Sequence, residues 1–312
     1  MAAIRAPARR GAIPLSHIPG GFTPMQSFLF VNPLSGSYDP RHVPRIVTRL
    51  AESGLTPTLL EVRTPADAAV HCRRINGAEE NPLVIVAAGD GTINAVLNGL
   101  RPGMATVAIL PLGTSNVLAR EIGIRSLEDG LERIIAGRSR QLPLGLLDLE
   151  RASHRFLLMA GIGVDGAVVR DVRPGEKRLL KQGAYALSAL RYALRWEGEM
   201  IQVVTPDRTL ACHGAIICAA SRYGGDFVLA PGGDLFSPEF MVVCILGNRR
   251  RDYLRLAWDL FSGRAQTSRQ LLGITAREVA IRGVKPVQVD GDFIGYTPAR
   301  FRVLEDFARI IV

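Results

Sequence analysis

The sequence predicts two domains, an α/β domain followed by a mainly antiparallel β-sandwich. Between Gln26 and about Gly145, short apolar strands alternate with helical segments. These strands show no polar alternation, which is typical of a parallel sheet covered by helices on both faces. After about Leu146, short strands follow one another with glycine- and proline-containing turns between them, as in a sandwich. A chain of 312 residues is long enough for two such domains.

The elements of each half are placed by their apolar patterns. The strands predicted in the first half are Phe28–Val31, Thr58–Val62, Leu83–Ala88 and Thr106–Leu110, and the helices are Val43–Glu52, Ala66–Asn76, Thr92–Leu100, Ser115–Ile122 and Leu127–Ala136. The strands predicted in the second half are Phe156–Ala160, Ile201–Val204, Ala215–Ala220, Phe240–Leu246, Val287–Val289 and Phe301–Val303, and the helices are Leu179–Arg195 and Tyr253–Phe261. The expected organisation is a flexible basic tail (1–24), the α/β domain (25–145) and the β-rich domain (146–312). Whether the last segment returns to the first domain is left open.

Positive charge is unevenly distributed along this chain, whose net charge is +9. Residues 1–24 carry three arginines and no acid, residues 170–195 carry a net charge of +5, and residues 249–255 a net charge of +3. Clustered cations favour an anionic partner such as a nucleotide or a membrane surface, although solvated helix faces explain them equally well. Aromatic residues make up only 6% of the chain and are not interleaved with the basic ones, so nucleic-acid binding is not predicted.

Apolar stretches and cysteines indicate where the protein acts. The longest uninterrupted apolar stretches have six residues, whereas a membrane-spanning helix needs about 20. The chain is therefore not expected to cross a membrane. The four cysteines form no Cys-x-x-Cys pair and most lie in apolar surroundings, which predicts buried, reduced thiols in a cytoplasmic protein.

The strongest local feature is the turn Gly89-Asp-Gly-Thr92, which lies between a buried strand and a helix. Glycines let the backbone approach a ligand closely, and a helix N-terminus offers free N–H groups to an anion. Asp90 is placed where it could hold Mg²⁺ against phosphate oxygens. A plain strand-to-helix turn capped by Asp90 or Thr92 explains the motif equally well when it is taken alone.

Two further turns strengthen the functional interpretation. The strand before Gly113-Thr-Ser-Asn116 and the strand before Asn32-Pro-Leu-Ser-Gly36 both end in polar, glycine-containing turns. In a parallel sheet these turns emerge at the same carboxyl edge, where open α/β folds bind their ligands. Other phosphate motifs fit less well. No P-loop sequence occurs, and the G-x-G-x-x-G run at Gly161–Gly166 lacks a βαβ setting and a following acid.

Taken together, these motifs resemble the diacylglycerol kinase catalytic-domain family, which includes bacterial lipid kinases and the sphingosine and ceramide kinases. The resemblance spans roughly residues 27–304 and rests on Asn32-Pro-x-Ser-Gly36, Gly89-Asp-Gly-Thr92, Asn98-Gly-Leu100, Leu110-Pro-x-Gly-Thr-x-Asn116 with Ala119-Arg120, Gly161-x-Gly163-x-Asp165, Lys177-Arg178 with Gly183-x-Tyr185, Ala230-Pro231 and Val289-Asp-Gly-Asp292. It implies ATP-dependent phosphorylation of a lipid hydroxyl in a cleft between the two domains. Its expected partners are a lipid substrate and, through peripheral association, an anionic membrane surface; a homodimer is left open.

The resemblance also implies roles for individual residues. The residues expected to contact the nucleotide are Asn32, Ser35, Gly36, Gly89, Gly91, Thr92, Gly113, Thr114 and Asn116. Asp290 is favoured as the general base for the lipid hydroxyl and Asp90 as the residue that organises Mg²⁺, while the sphingosine branch assigns the base to the acid at Asp90. Asp292 is a further candidate for the metal. From local pattern alone, Asp290-Gly291 is an equally good hairpin turn.

Four positions depart from the family pattern. Ala88 replaces the usual first glycine of the Gly-Asp-Gly-Thr run, and Ala95 stands where a glutamate is usual. Val117 replaces the aspartate of many bacterial members, and Asp292 replaces a glutamate. These departures leave a catalytically inactive relative open, as the shared Gly89–Thr92 motif leaves open a soluble-substrate kinase resembling NAD kinase or phosphofructokinase.

Overall fold

The computed structural model has a parallel sheet with helices in its first half and an antiparallel sandwich in its second, which confirms the predicted fold class. The structure describes residues 13–14, 26–77, 81–172, 198–222, 228–262 and 268–312. The strands of the first half are β1 (Ile13–Pro14), β2 (Ser27–Val31), β3 (Thr58–Glu61), β4 (Leu83–Ala88) and β5 (Thr106–Pro111). The helices are α1 (His42–Glu52), α2 (Pro65–Ile75), α3 (Asp90–Gly99), α4 (Val117–Glu121) and α5 (Leu127–Ala136).

The second half is formed mostly by strands. Its strands are β6 (Arg138–Asp148), β7 (Ser153–Phe156), β8 (Met159–Ile162), β9 (Ile201–Val204), β10 (Thr209–Cys212), β11 (Gly214–Cys218), β12 (Phe240–Ile245), β13 (Leu271–Ala276), β14 (Glu278–Arg282), β15 (Pro286–Val289), β16 (Asp292–Tyr296) and β17 (Ala299–Ile311). Its helices within the described residues are α6 (Val164–Asp171) and α7 (Arg250–Phe261). No described helix is both long and apolar enough to cross a bilayer.

Two sheets organise these strands. The strands β3, β2, β4 and β5 lie side by side in parallel, and β17 continues the sheet next to β5. The same sheet continues through β14, β9 and β10 in antiparallel fashion. A second sheet of six strands, in the order β13-β12-β11-β8-β15-β16, is antiparallel throughout. The parallel sheet and one layer of the sandwich are therefore one continuous surface.

Strand β17 joins the two halves. Its first residues pair with β14, and Arg309 and Ile310 pair in parallel with Thr106 and Val107 of β5. The last segment of the chain thus lies in the sheet of the first half. The sequence predicts only three residues of this strand and none of β6, its long antiparallel partner. The reason is Pro143, which cannot donate to a ladder and lies in the gap where the β6–β17 register shifts.

One other prediction is wrong in detail. The predicted strand Phe156–Ala160 is divided into β7 and β8, because the backbone at Leu157 and Leu158 turns away from the ladder. Within the predicted basic tail, Ile13 and Pro14 pair with Ser139 and Arg138 at the edge of β6. The predicted helix Leu179–Arg195 lies outside the described residues, as do Lys177, Arg178, Gly183 and Tyr185.

A shared apolar core connects the first half to the second. Buried residues of β4, α3 and α4 pack in the same cluster as Leu157 and Leu158, which precede β8. A separate cluster fills the sandwich, with Phe156 stacked on Phe240 at 5.6 Å between ring centroids. The loop before β8 is consequently anchored in the core of the α/β half, which brings the second sheet close to the ends of β4 and β5.

Candidate functional site

The three turns predicted to share one sheet edge do so. Asn32 Nδ2 donates to Thr92 Oγ1 at 2.8 Å, which joins the turn after β2 to the start of α3. Ser37 Oγ donates to the Gly113 carbonyl at 3.0 Å, which joins the same first turn to the turn after β5. The order β5-β4-β2 makes these turns neighbours, so the prediction from strand polarity is confirmed.

Glycine is required where these turns touch one another. A Cβ atom at Gly89 would lie 3.0 Å from the Gly113 Cα, and one at Gly36 would collide with the Thr114 hydroxyl. Gly91 is different, since a Cβ built there meets nothing within 4 Å and the residue is exposed. Nothing in the protein itself requires a glycine at position 91, so the space in front of it is available to a ligand.

The Asp90 carboxylate links two of the turns. It accepts hydrogen bonds from the Val117 and Leu118 N–H groups, both at 3.1 Å, at the first residues of α4. The side chain therefore caps α4, whereas α3 itself begins without the side-chain cap that the plain-turn interpretation expected. Each of its oxygens accepts only one of these bonds and keeps a lone pair for another partner.

Asn116 shapes the turn after β5. It adopts the left-handed conformation, with φ of 47°, which asparagine tolerates better than most residues. Its Oδ1 accepts from the Gly113 N–H at 2.8 Å, and its Nδ2 donates to the Gly113 carbonyl at 3.0 Å. The Asn116 carboxamide is thus committed to the turn itself, and what this turn leaves exposed is Thr114 and Ser115.

Asp290 lies at the tip of the β15–β16 hairpin and reaches the broken strand before β8. Its carboxylate accepts three backbone N–H bonds, from Leu157 at 2.7 Å, Leu158 at 2.9 Å and Met159 at 3.0 Å. Like Asn116 it has a positive φ, of 46°, a conformation that costs energy in a residue other than glycine. A two-residue Asp-Gly hairpin turn accounts for the positive φ, but it needs none of the three donors. The geometry therefore favours a functional carboxylate at this position.

Burial and a neighbouring charge alter the acidity of Asp290. Removal from water raises the pKa of this carboxyl to about 6, the three N–H bonds oppose that rise, and the negative charge of Asp90 adds to it. Since the Asp90 charge acts on Asp290, the two carboxylates lie within electrostatic range of each other. The backbone segments that hold them, Val117-Leu118 and Leu157-Leu158, also share one apolar core.

A buried glutamine fixes the Asp290 hairpin from beneath, and sequence reasoning missed it. Gln288 Oε1 accepts from the Gly291 N–H at 2.8 Å, and Gln288 Nε2 donates to Asp165 Oδ2 at 2.7 Å. Asp165 lies against Gly161, where any side chain would collide with its carboxylate. The Gly-x-Gly-x-Asp motif is thereby connected to the Asp290 turn. A polar residue with apolar neighbours on a short strand was the available signal.

The family motif at the end of α3 has a structural role in this chain. Asn98 ends α3 and exchanges hydrogen bonds with the backbone of Arg155 at 3.2 Å in each direction. The Arg155 guanidinium donates to the carbonyls of Leu97, Asn98 and Leu100, which closes the C-terminal end of α3. The Asn98-Gly-Leu100 motif therefore joins α3 to β7.

The other predicted positions occupy varied surroundings. Ser35 belongs to the turn after β2, its N–H donating to the Asn32 carbonyl at 3.1 Å. Asp292 is exposed at the start of β16, and its side chain makes no hydrogen bond or ion pair with the described residues. Ala88 and Val117 are buried and Ala95 packs against the same core, so these departures from the family pattern lie in apolar surroundings.

The carboxylates suit a cation that carries most of its own ligands. Among the described residues there is no group of three or more His, Cys, Asp or Glu side chains placed to hold a metal. Mg²⁺ in phosphoryl-transfer sites is bound by one or two carboxylates together with water and substrate phosphates. Asp90, with free lone pairs beside a second acid, fits such an ion.

Comparisons with known proteins cover nearly all of the described chain. Residues 26–147 match the family model described as "Diacylglycerol kinase catalytic domain", and residues 159–312 match "YegS C-terminal NAD kinase beta sandwich-like domain". A diacylglycerol kinase of Staphylococcus aureus is 30% identical over 287 residues, covering 89% of this chain and 89% of that protein. A diacylglycerol kinase of Bacillus subtilis is 25% identical over 284 residues, covering 88% and 91%.

A solved structure shows the same fold. The crystal structure of a diacylglycerol kinase from Bacillus anthracis superimposes with a TM-score of 0.69 at 17% sequence identity, over 92% of this chain and 96% of that one. The match over most of both chains shows that the overall fold occurs in an experimentally determined structure.

Proposed function

Because the chain belongs to the diacylglycerol kinase family of lipid kinases, we propose that it transfers the γ-phosphoryl group of ATP to the hydroxyl of a diacylglycerol-like lipid. Membership confirms the resemblance seen in the sequence and makes this chain a lipid kinase that uses ATP. The acceptor lipid, the Mg²⁺ ion and action at the cytoplasmic membrane surface are the parts that we propose.

The proposal rests mainly on Asp290, whose carboxylate accepts three backbone N–H bonds and has a raised pKa. A general base has to be ionised near neutral pH and still bind a proton firmly enough to take it from an alcohol. The raised pKa of Asp290, at about 6, meets both needs. The three N–H donors hold the carboxylate in one orientation, and the Asp90 side of the crevice is where the phosphates would lie. A proton from the lipid hydroxyl would pass to Asp290 as the oxygen attacks phosphorus.

The opposite wall suits a triphosphate. Apart from Leu34, the three turns expose backbone and small side chains, at Gly36, Gly91 and Thr114. Backbone N–H groups at the start of α3 favour a phosphate there. Asp90 would hold Mg²⁺, which when bound neutralises charge on the phosphates. In the sphingosine-branch alternative Asp90 is the base, and Asp90→Asn would then lower turnover more than Asp290→Asn does.

The acceptor is tested by offering diacylglycerol, ceramide and sphingoid bases together with ATP and following the products by mass spectrometry. We expect phosphorylated diacylglycerol as the main product, and Asp290→Asn as the control should abolish it. Phosphorylation of ceramide or a sphingoid base in preference would keep the enzyme class and overturn the proposed acceptor.

Soluble acceptors provide the second test. The family's sandwich domain is described by its likeness to NAD kinase, so NAD and a sugar phosphate are offered in the same assay. Faster transfer to either would contradict a lipid acceptor. Binding of ATP and lipid with no transfer at all would show an inactive relative instead, as the departures at Ala88, Ala95 and Val117 left open.

A further inference from the structure

Helix α7 exposes two large apolar side chains to solvent. Leu254 is 73% exposed and Trp258 is 64% exposed. Four residues separate them, so they lie one above the other on the same face of the helix. Leu256, which is 5% exposed, lies on roughly the opposite side and packs the helix against the protein. The apolar pair is therefore the outward face of a helix whose inward face is already buried.

Positive charge surrounds this apolar pair. Arg249, Arg250, Arg251 and Arg255 are all exposed, against the acids Asp252 and Asp259. The Asp252 carboxylate accepts the Arg249 N–H at 3.1 Å and so caps the start of the helix. By helical spacing, Arg250 lies on one side of the Leu254–Trp258 stripe and Arg251 and Arg255 lie on the other. Arg251 and Arg255 make no ion pair with another described residue.

Helix α7 is fixed to the sandwich, so the exposed face does not come from a loose segment. The buried His213 Nδ1 lies 2.8 Å from the Tyr253 hydroxyl, and the two rings meet edge to face at 5.3 Å. Asn248 Nδ2, just before the helix, donates to the Gly198 carbonyl at 3.2 Å. These contacts hold α7 by the side that faces away from Leu254 and Trp258.

The sheet that carries α7 also carries the acceptor side of the crevice. His213 precedes β11, whose other end, Cys218, pairs with Met159 of β8. The Met159 N–H donates to Asp290 at 3.0 Å. The distance along the strand from His213, which contacts α7, to Cys218 is about 17 Å at the usual rise per residue. The apolar face and Asp290 therefore belong to one rigid unit.

We propose that the outer face of α7, formed by Leu254, Trp258 and the arginines around them, docks on an anionic phospholipid bilayer. The inference rests on the proposed function, since a lipid acceptor resides in a bilayer. Tryptophan favours the membrane interface, and arginines beside an apolar stripe attract anionic headgroups while their stems remain in the interface. Two copies of this chain meeting through α7 would oppose their arginines, so like charges disfavour a dimer through this face.

Vesicle binding without ATP tests the proposal separately from catalysis. The protein is sedimented with vesicles of phosphatidylcholine, with and without phosphatidylglycerol, at low and high salt. We expect tighter binding to the anionic vesicles that weakens as salt is raised. Arg251→Gln with Arg255→Gln should lower the anionic partition coefficient by about 30-fold and leave binding to phosphatidylcholine unchanged.

A second pair of variants tests the apolar contribution. Leu254→Ser with Trp258→Ser should weaken binding to both kinds of vesicle, by at least about tenfold. The matched controls are Val284→Ser, which is equally exposed at 65%, and Arg73→Gln with Arg74→Gln on α2. Both controls should bind vesicles as the wild type does. With Trp196→Phe as background, Trp258 is the remaining tryptophan, and its emission should shift to shorter wavelength on binding.

Several results would overturn the docking face. One is that phosphatidylglycerol does not increase the binding of the wild type to vesicles. Another is that the α7 variants bind vesicles as tightly as the wild type. Loss of a dimer in the α7 variants without any change in vesicle binding would show instead that a second copy covers this face. Failure of the proposed function looks different. In that case vesicle binding by the wild type follows the predictions, but a water-soluble short-chain diacylglycerol is not phosphorylated.

Discussion

The proposed site has two sides, the α/β wall formed by the turns after β2, β4 and β5, and the sandwich wall formed by Asp290 and the segment before β8. Polar groups form hydrogen bonds differently on the two walls. On the α/β wall, Asn32 and Asp90 form hydrogen bonds with neighbouring turns and Asn116 with its own turn. Apart from Leu34, the residues that these turns expose are small. On the sandwich wall, three backbone N–H groups donate hydrogen bonds to one side chain, the Asp290 carboxylate. The comparison teaches that the first wall is suited to bind an anion through its shape, whereas the second maintains one charge in partly dry surroundings.

The largest effect is expected when the charge is removed from the sandwich wall, which tests whether that wall supplies the base. Asp290→Asn should lower kcat by about 10³-fold, within the range for loss of a general base. The change should not unfold the protein, because an amide oxygen in place of Oδ1 keeps two of the three N–H bonds, those from Leu158 and Met159. A turnover assay and thermal melts check both points, with the exposed Asp207→Asn as a control that changes neither. Near-normal turnover in the variant would remove Asp290 from the chemistry.

The stability of the same variant has a pH dependence with a defined sign. Since the folded-state pKa of Asp290 is raised to about 6, the folded protein binds this proton more tightly than the unfolded chain. Its contribution to stability is therefore present at low pH and is lost as the pH rises from about 4 to about 6. Melting temperatures against pH should show this loss in the wild type and not in Asp290→Asn.

The second test removes the charge from the α/β wall. Asp90→Asn should lower kcat by about a hundredfold, since one group that stabilises the transferring phosphates is lost. In the wild type, kcat/KM should fall as the pH drops below about 6, where Asp290 becomes protonated. Because the Asp90 charge raises the pKa of Asp290, this fall should move to lower pH in Asp90→Asn. An unmoved profile would mean that the two carboxylates do not share a crevice.

The support beneath the sandwich wall is tested by Gln288→Leu. The variant loses the hydrogen bonds to Gly291 and Asp165, which should cost about 1–3 kcal/mol of unfolding free energy. Looser placement of Asp290 should also lower kcat by about tenfold, with little change in KM for ATP. Denaturant titration and steady-state kinetics measure the two effects. The matched control is Gln202→Leu, at an exposed position of β9. A rise in KM for ATP alone would contradict a role on the acceptor side.

The smallest effect is expected at Gly91. Since a Cβ there meets no protein atom, Gly91→Ala should stabilise α3 by up to about 1 kcal/mol through its higher helix propensity. The same methyl group occupies space proposed for the nucleotide, so KM for ATP should rise roughly threefold. Gly77→Ala, distant from the turns, should leave KM for ATP unchanged. Higher stability with an unaltered KM would place the nucleotide elsewhere.

How much the sequence could predict differs between the walls. The α/β turns followed from local pattern, because unbroken apolar strands fix the sheet and its polarity fixes the edge. The identity of the contacts did not follow, since Asp90 bonds with residues 27 and 28 positions away. For Asp290 the separation is 131 to 133 residues, and a pattern read along the chain contains no record of such a contact. Only the family resemblance singled it out.

Strand β17 has a consequence for how the protein is made. The first half of the chain leaves the ribosome early, yet the neighbour of β5 in its sheet is contributed by residues 299–311. Until that segment has been synthesised, β5 and β6 both present open edges that can pair with other chains. The α/β half therefore completes its sheet only after residues 299–311 have been translated, and its open edges are accessible to other chains during that interval.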